Sequence, residues 1–150
     1  MIRPAVDTEA ATLTQIALDA KRHWGYPENW IKHWESDLTI SPEFIEKHHV
    51  YVAEQDGEIR GFYALCLVDN NAELEHMWVT PAYIGTGIGK ELFLDAMDRA
   101  TAMKLNAVEL TADPNAAGFY SRMGATQIGA TDSEIEGQPR HLPRMKVDLS

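Results

Sequence analysis

The stretch that most constrains this chain is Ile84-Gly85-Thr86-Gly87-Ile88-Gly89-Lys90, three alternate glycines set between an apolar strand-like segment and a long helix-like one. Glycine reaches left-handed backbone conformations without a Cβ penalty, so such a run lets successive amide N–H groups turn inward. A helix starting directly after it adds the positive end of its dipole, and the two together form a cradle for an anion, phosphate above all. Two common phosphate loops do not fit. A P-loop has the spacing G-x-x-x-x-G-K followed by Ser or Thr, whereas here three residues separate Gly85 from Gly89 and Glu91 follows Lys90. A dinucleotide-binding fingerprint has a glycine where this chain has Lys90, and it opens a βαβ unit instead of following a meander.

Periodicity supplies the elements around the loop. Residues 2–5 read as a short strand, after which Asp7 or Thr8 caps a helix that carries Leu13, Ile16, Ala17 and Ala20 and ends near Trp24-Gly25. Pro27 suits the first turn of a second amphipathic helix with Trp30, Ile31, Trp34 and Leu38, and Ser41-Pro42-Glu43 opens a third. Residues 49–55 turn at Asp56-Gly57 into 58–68, which turn at Asp69-Asn70-Asn71 into 72–79, a three-stranded meander. The loop then leads into a helix with Ile88, Leu92, Phe93, Ala96, Ala100 and Met103 on one side. A strand at 107–111, a helix at about 116–123 capped from Asp113-Pro114-Asn115, and a final strand pair at 127–130 and 145–149 complete the chain. This order predicts an α/β fold of the α+β kind, a mixed, mostly antiparallel central sheet flanked by helices. No repeat or linker divides residues 1–150, so one domain is expected.

Composition narrows the partners. Thirteen Lys and Arg against 23 Asp and Glu leave a formal charge of −10, which repels nucleic acid and anionic membrane surfaces and favours a cationic, amine-bearing ligand. Cys66 is the sole cysteine, so no internal disulfide or CxxC pair can form. The longest apolar run, residues 62–68, falls far short of the roughly 20 that a membrane helix needs. Asp7 and Glu9 interrupt the start before any apolar leader develops, so a cytoplasmic location is expected. The histidines lack metal-ligand spacing, and no metal site is expected.

A second segment, Asn115-Ala116-Ala117-Gly118-Phe119-Tyr120-Ser121-Arg122-Met123-Gly124-Ala125, lies downstream of the loop. Together the two resemble the GNAT N-acetyltransferase superfamily, which pairs a V-x-P strand end and a Q/R-x-x-G-x-G/A loop with a later N-x-x-A-x-x-F/Y-Y-x-x-x-G-F segment. The resemblance covers about residues 49–130, and His23-Trp24-Gly25-Tyr26 is similar to a stretch in some bacterial members. It implies acetyl-CoA as cofactor. Gly85, Thr86, Gly87, Ile88, Gly89 and Lys90 would meet its pyrophosphate, mainly through main-chain N–H groups. Met77, Trp78 and Val79 would run beside the pantetheine arm, the backbones of Met77 and Val79 pairing with it like an added strand, with Asn115 alongside. Ile84 stands where the family has Gln or Arg, which removes a side-chain phosphate contact, and Gly124-Ala125 replaces Gly-Phe.

Acetyl transfer to an amine needs a base, because a free alkylammonium has a pKa of about 10.4, and an acid for the departing thiolate. By the resemblance, Tyr120 is the candidate acid near the thioester sulfur, and Glu73 aligns with the base of some members. Alternation predicts that Glu73, Glu75, Met77 and Val79 share one face of their strand, with Leu74, His76 and Trp78 on the other. Glu75, one pleat nearer the thioester, is then a second candidate base, acting directly or through water, while His76 reads as a packed histidine. On the acceptor side Trp24 and Tyr26, beside Gly25, are candidate substrate-binding residues, with Trp30 and Trp34 read as core and Arg140 and Arg144 as grips for an acceptor carboxylate. The expected activity is acetyl transfer by direct attack to a primary amine on a small molecule or a protein. The alternative is a non-catalytic acyl-CoA-binding regulatory module. The resemblance also admits a homodimer.

Overall fold

The computed structural model describes residues 1–149. The strands are β1 (Ile2–Pro4), β2 (His49–Gln55), β3 (Glu58–Val68), β4 (Asn71–Val79), β5 (Ala107–Thr111), β6 (Thr126–Ile135) and β7 (Gln138–Asp148). The helices are α1 (Ala10–His23), α2 (Glu28–Leu38), α3 (Pro42–Lys47), α4 (Ile88–Ala102) and α5 (Ala117–Arg122). One seven-stranded sheet runs in the order β1-β2-β3-β4-β5-β7-β6. Every neighbouring pair is antiparallel except β4 and β5.

The centre of the sheet is covered on both faces, which is why Phe62 to Cys66 in β3 is an unbroken apolar run. Tyr63 and Leu65 pack with Leu92, Phe93 and Ala96 of α4, while Phe62 and Ala64 face Leu13, Ile16 and Ala17 of α1 and Ile45 of α3. The Ser41 hydroxyl accepts from the Phe44 N–H at 3.0 Å and starts α3 as its sequence predicts. The start of α1 differs. Neither Asp7 nor Thr8 caps it; a 3-10 turn, Asp7–Glu9, leads in, and the Glu9 carboxylate accepts from the Val6 N–H at 2.9 Å while it pairs with Arg3.

Two further departures matter for the site. The pairing of β3 with β4 steps from Ala64↔His76 to Leu65↔Leu74, so Glu75 is an extra residue in β4, a β-bulge. The bulge breaks the alternation on which a shared face for Glu73, Glu75, Met77 and Val79 depended. Ala72 and Leu74 instead share the α4 face with Met77 and Val79, and Glu73 falls with His76 and Trp78 on the opposite one. The last hairpin is also much longer than 127–130 and 145–149. Register continues from Thr126↔Lys146 to Ile135↔Gln138 around a turn at Glu136-Gly137. Its outer half carries no apolar alternation because it is held by its own ladder: all of β6 except Ile135 is exposed, and Ile135 anchors the tip at 1% exposure.

Candidate active site

β4 and β5 pair only over Asn71↔Ala107, Ala72↔Val108 and Glu73↔Glu109, and then part. Beyond Glu73, the edge of β4 that faces β5 has no strand partner. Where the two strands separate lies a cleft of about 430 Å³. Its walls are Met77, Trp78 and Val79 of β4, the loop from Tyr83 to Lys90, Asn115 and Ala116 with one side of α5, and the end of α1 at Ala20 and Trp24.

The glycine loop meets the cleft as its composition demands. Gly85 and Gly87 take φ of +85° and +91°, and a β-carbon at either would touch nothing, so backbone conformation and not crowding selects glycine there. Among the described residues, no acceptor lies on the N–H groups of Gly85, Gly87, Ile88, Gly89 or Lys90. Five amides at the start of a 15-residue helix with no partner of their own are an anion cradle, and a diphosphate suits it. The side chains at 86 and 88 take no part: the Thr86 hydroxyl donates to the Tyr83 carbonyl, and Ile88 is buried in the core.

Tyr120 packs between Phe93 and Phe119 and is 8% exposed, yet it lines the cleft and its hydroxyl has no hydrogen-bond partner among the described residues. Burial, and then the charge of Asp113, push its pKa well above that of an ordinary phenol. Asn115 is also on the wall, and its amide nitrogen donates to Tyr26 Oη and Asp113 Oδ1, both at 3.0 Å. Tyr26 lies off the cleft, unlike Trp24. Its hydroxyl donates to the Asp113 carboxylate, 3.1 Å from each oxygen, and accepts from Arg140 at 2.9 Å. Burial, then Asp113, push its pKa up to about 12. Trp30 and Trp34 pack against Tyr26 and do not reach the cleft.

Asp113 is the hub of this network. Lys21 reaches it at 2.7 Å with its ammonium 4.2 Å from the Trp34 ring, so a cation inside the protein is matched by a carboxylate and an aromatic face. Burial pushes Asp113 up, but the charge and hydrogen bond of Lys21, with those from Asn115 N–H and Tyr26, outweigh it and hold the pKa below the usual carboxylate value. Burial lowers the Lys21 pKa against the pull of Asp113.

The two glutamates are in different situations. Arg144 grips both oxygens of Glu73, at 2.5 and 2.6 Å, and stands 3.6 Å from Glu109. Arg144 and Arg140 are therefore occupied inside the protein and do not present themselves to an acceptor carboxylate. Glu75, on the bulge, makes no hydrogen bond or ion pair among the described residues. Although the residue as a whole is exposed, burial of its carboxyl, and then the charge of Glu73, raise its pKa above the usual carboxylate value. His76 is packed between Phe44 and Phe62, accepts at Nδ1 from the Trp78 indole at 3.0 Å, and is pushed by burial to about 4. Lys21, Asp113 and the cleft residue Arg122 were not singled out in the sequence; Asp113 stood there only as a helix cap. Their one local signal is a charged residue on an otherwise apolar stretch, which is common on surfaces.

Comparison with known proteins gives four findings. The family model for the acetyltransferase (GNAT) domain matches residues 46–124. The chain is similar to the 5-NmdU N-acetyltransferase of Pseudomonas phage PaMx11, 28% identical over 132 residues that make up 86% of this chain and 89% of that one. Its fold is that of a GCN5-related N-acetyltransferase from Rhodopseudomonas palustris, with a TM-score of 0.80, 21% identity and coverage of 99% and 95% of the two chains. It is also that of the PaiA N-acetyltransferase of Thermoplasma acidophilum in complex with coenzyme A, with a TM-score of 0.78, 22% identity and coverage of 99% and 98%.

Proposed function

The chain belongs to the GNAT acetyltransferase family, and from that membership we propose a residue-level account of how it moves an acetyl group from acetyl-CoA to an amine. The observation that carries the account is the cleft itself, with five unpartnered loop amides at one end and, on its wall, the otherwise buried Tyr120 with an unpartnered hydroxyl. The amides bind the diphosphate of acetyl-CoA, and the free edge of β4 at Met77 and Val79 runs beside the arm that joins it to the thioester. Asn115, held by Tyr26 and Asp113, keeps its carbonyl oxygen free for that arm.

The chemistry left to the protein is three proton transfers around a direct attack. The acceptor must lose its ammonium proton to become a nucleophile, and Glu75, open at the bulge and raised in pKa, takes it. Glu73 does not compete for that proton because Arg144 occupies both of its oxygens; it raises the pKa of Glu75 instead. As the N–C bond forms and the C–S bond breaks, Tyr120 gives its proton to the sulfur, and the proton that the acylated nitrogen sheds restores the phenol, leaving the amide, the CoA thiol and protonated Glu75. A phenol with a raised pKa keeps that proton until a thiolate develops beside it. The unpartnered Tyr120 hydroxyl favours this over a non-catalytic acyl-CoA sensor, for which that oxygen would have no task.

The acceptor in this account is a primary amine on a small molecule or an exposed protein amine, entering past Trp24, with the negative charge of the chain favouring a cation. A homodimer and a cytoplasmic location belong to the same proposal; sedimentation showing only monomer removes the first. The test of function is release of CoA thiol from acetyl-CoA across a panel of primary amines. Saturable release with at least one amine that falls in the Tyr120→Phe variant supports the account, and equal rates in the two proteins remove Tyr120 from it.

A further inference from the structure

The rung at which β4 and β5 part is built from two like charges. Glu73 and Glu109 are the last register partners of that parallel pair, so their carboxylates stand on one face of the sheet on neighbouring strands. Like charges directly opposite each other push paired strands apart. No later rung opposes them, because from Leu74 onward β4 is held by β3 alone. The bulge at Glu75 comes two residues after this rung.

One side chain answers both carboxylates. Arg144, the register partner of Thr111, lies on β7 at the far side of β5 and reaches back across the sheet. Its Nη1 and Nη2 donate to the two oxygens of Glu73, Nη1 donates also to Thr111 Oγ1 at 3.1 Å, and Nη2 stands 3.6 Å from Glu109. The residue opposite Glu109 on β7 is Lys146, but its ammonium pairs with Asp148 at 3.4 Å and leaves Glu109 to Arg144. Asn71 adds only a long contact to Glu109, at 3.5 Å. The side chains of Glu73, Glu109 and Arg144 are 20%, 27% and 27% exposed, so solvent screens the repulsion only in part. A planar guanidinium can meet both oxygens of one carboxylate and still reach a second strand, which a single ammonium does not.

We propose that Arg144 is a positioning residue: it clasps the Glu73–Glu109 rung and thereby fixes where β4 parts from β5 and where the bulge presents Glu75. The proposal rests on the reading of Glu75 as the base and goes beyond it by naming what holds that base in place.

Two measurements read the two halves of this role. Amide hydrogen exchange over residues 71–75 and 107–111 reads the rung without turnover. Arg144→Ala is expected to speed exchange there by about tenfold, the value of a charge-assisted contact, and to leave β2 unchanged. The pH dependence of kcat/KM, with an amine that supports thiol release, reads the base. Glu73 of β4 and Arg144 of β7 are the charges that act on Glu75, while Cys66 of β3, near both glutamates and Lys47 of α3, is pushed by burial to about 11 and stays a neutral thiol. Removing the positive charge should move the rising limb to higher pH. Misplacement of Glu75 should also lower the plateau by about tenfold, which a change of charge alone does not do. The Kd for acetyl-CoA should change little, since Met77, Trp78 and Val79 stay paired with β3.

Adding Glu73→Gln and Glu109→Gln to Arg144→Ala removes the repulsion, and both exchange protection and the plateau should return most of the way to wild-type values. Unchanged exchange or an unchanged plateau in Arg144→Ala overturns the proposal, as does a triple variant that recovers neither. Arg144→Lys keeps a charge without the planar fork and serves if the alanine variant does not fold; faster exchange at the rung with a lowered plateau is expected, and wild-type values of either count against the proposal. No thiol release by the wild-type protein with any amine overturns the acetyl-transfer reading and leaves Arg144 without a base to position, whereas a failed clasp shows in the exchange alone.

Discussion

Glu73 and Glu75 are two residues apart on one strand and lead different lives, since one is clasped by Arg144 and the other stands free on a bulge. Glu75 works in its deprotonated form, so kcat/KM is expected to rise with pH through a pKa above the usual carboxylate value of about 4.3. Glu75→Gln should flatten that limb and lower kcat by about a hundredfold, within the range for loss of a general base. Glu73→Gln removes a negative neighbour and frees the Arg144 charge. Both changes favour ionised Glu75, so the limb should move to lower pH with its shape kept. A pH profile unchanged in both variants contradicts the assignment. Tyr120→Phe takes away the hydroxyl and almost no volume from a buried site; kcat should fall by about a hundredfold or more with the Kd for acetyl-CoA nearly unchanged.

At the scale of elements, the loop-to-helix cradle was legible because glycine spacing and a helix start act locally, and Gly85 and Gly87 adopt the positive φ that their identity suggests. Gly87→Val places a branched side chain at φ +91°, so acetyl-CoA affinity should fall while the far-UV spectrum stays unchanged. The bulge was not legible, since an inserted residue shows only against its partner strand, and missing it put Glu73 on the wrong face. Nor was the outer part of the β6–β7 hairpin, whose strands pair without burying a face. The cluster of Lys21, Tyr26, Asp113 and Arg140 spans 92 residues of sequence from Lys21 to Asp113 and 114 from Tyr26 to Arg140, beyond the reach of local pattern. Asp113→Ala strands Lys21 inside the protein and is expected to cost about 3 to 5 kcal/mol, read from the urea midpoint. The pKa of Asp113 is depressed in the folded state, so the stability it contributes is present above its unfolded value of about 3.9 and is lost as pH falls through the lower folded value. The urea midpoint of Asp113→Ala should be correspondingly less sensitive to pH in that range.

For the molecule as a whole, the order and type of elements followed from periodicity, and the sheet order places the one parallel pair, β4 and β5, at its middle. That pair sets the geometry on which everything else depends, because strands that pair for three residues and then diverge leave a cleft between two covered halves of a sheet. Most cleft residues named from sequence do line it, namely Met77, Trp78, Val79, Ile84, Gly85, Gly87, Gly89, Lys90, Asn115 and Tyr120. The exceptions are Glu73, Tyr26 and the side chains of Thr86 and Ile88, which found partners inside the protein, and Glu75, which stands without a partner on the bulge outside the cleft lining. Among the described residues no helix is long and apolar enough to cross a membrane. The central claim is that this cleft holds acetyl-CoA, and the most direct measurement is a calorimetric titration of the purified protein with acetyl-CoA. The account predicts one site with a Kd on the order of micromolar; absence of binding up to millimolar ligand would contradict it.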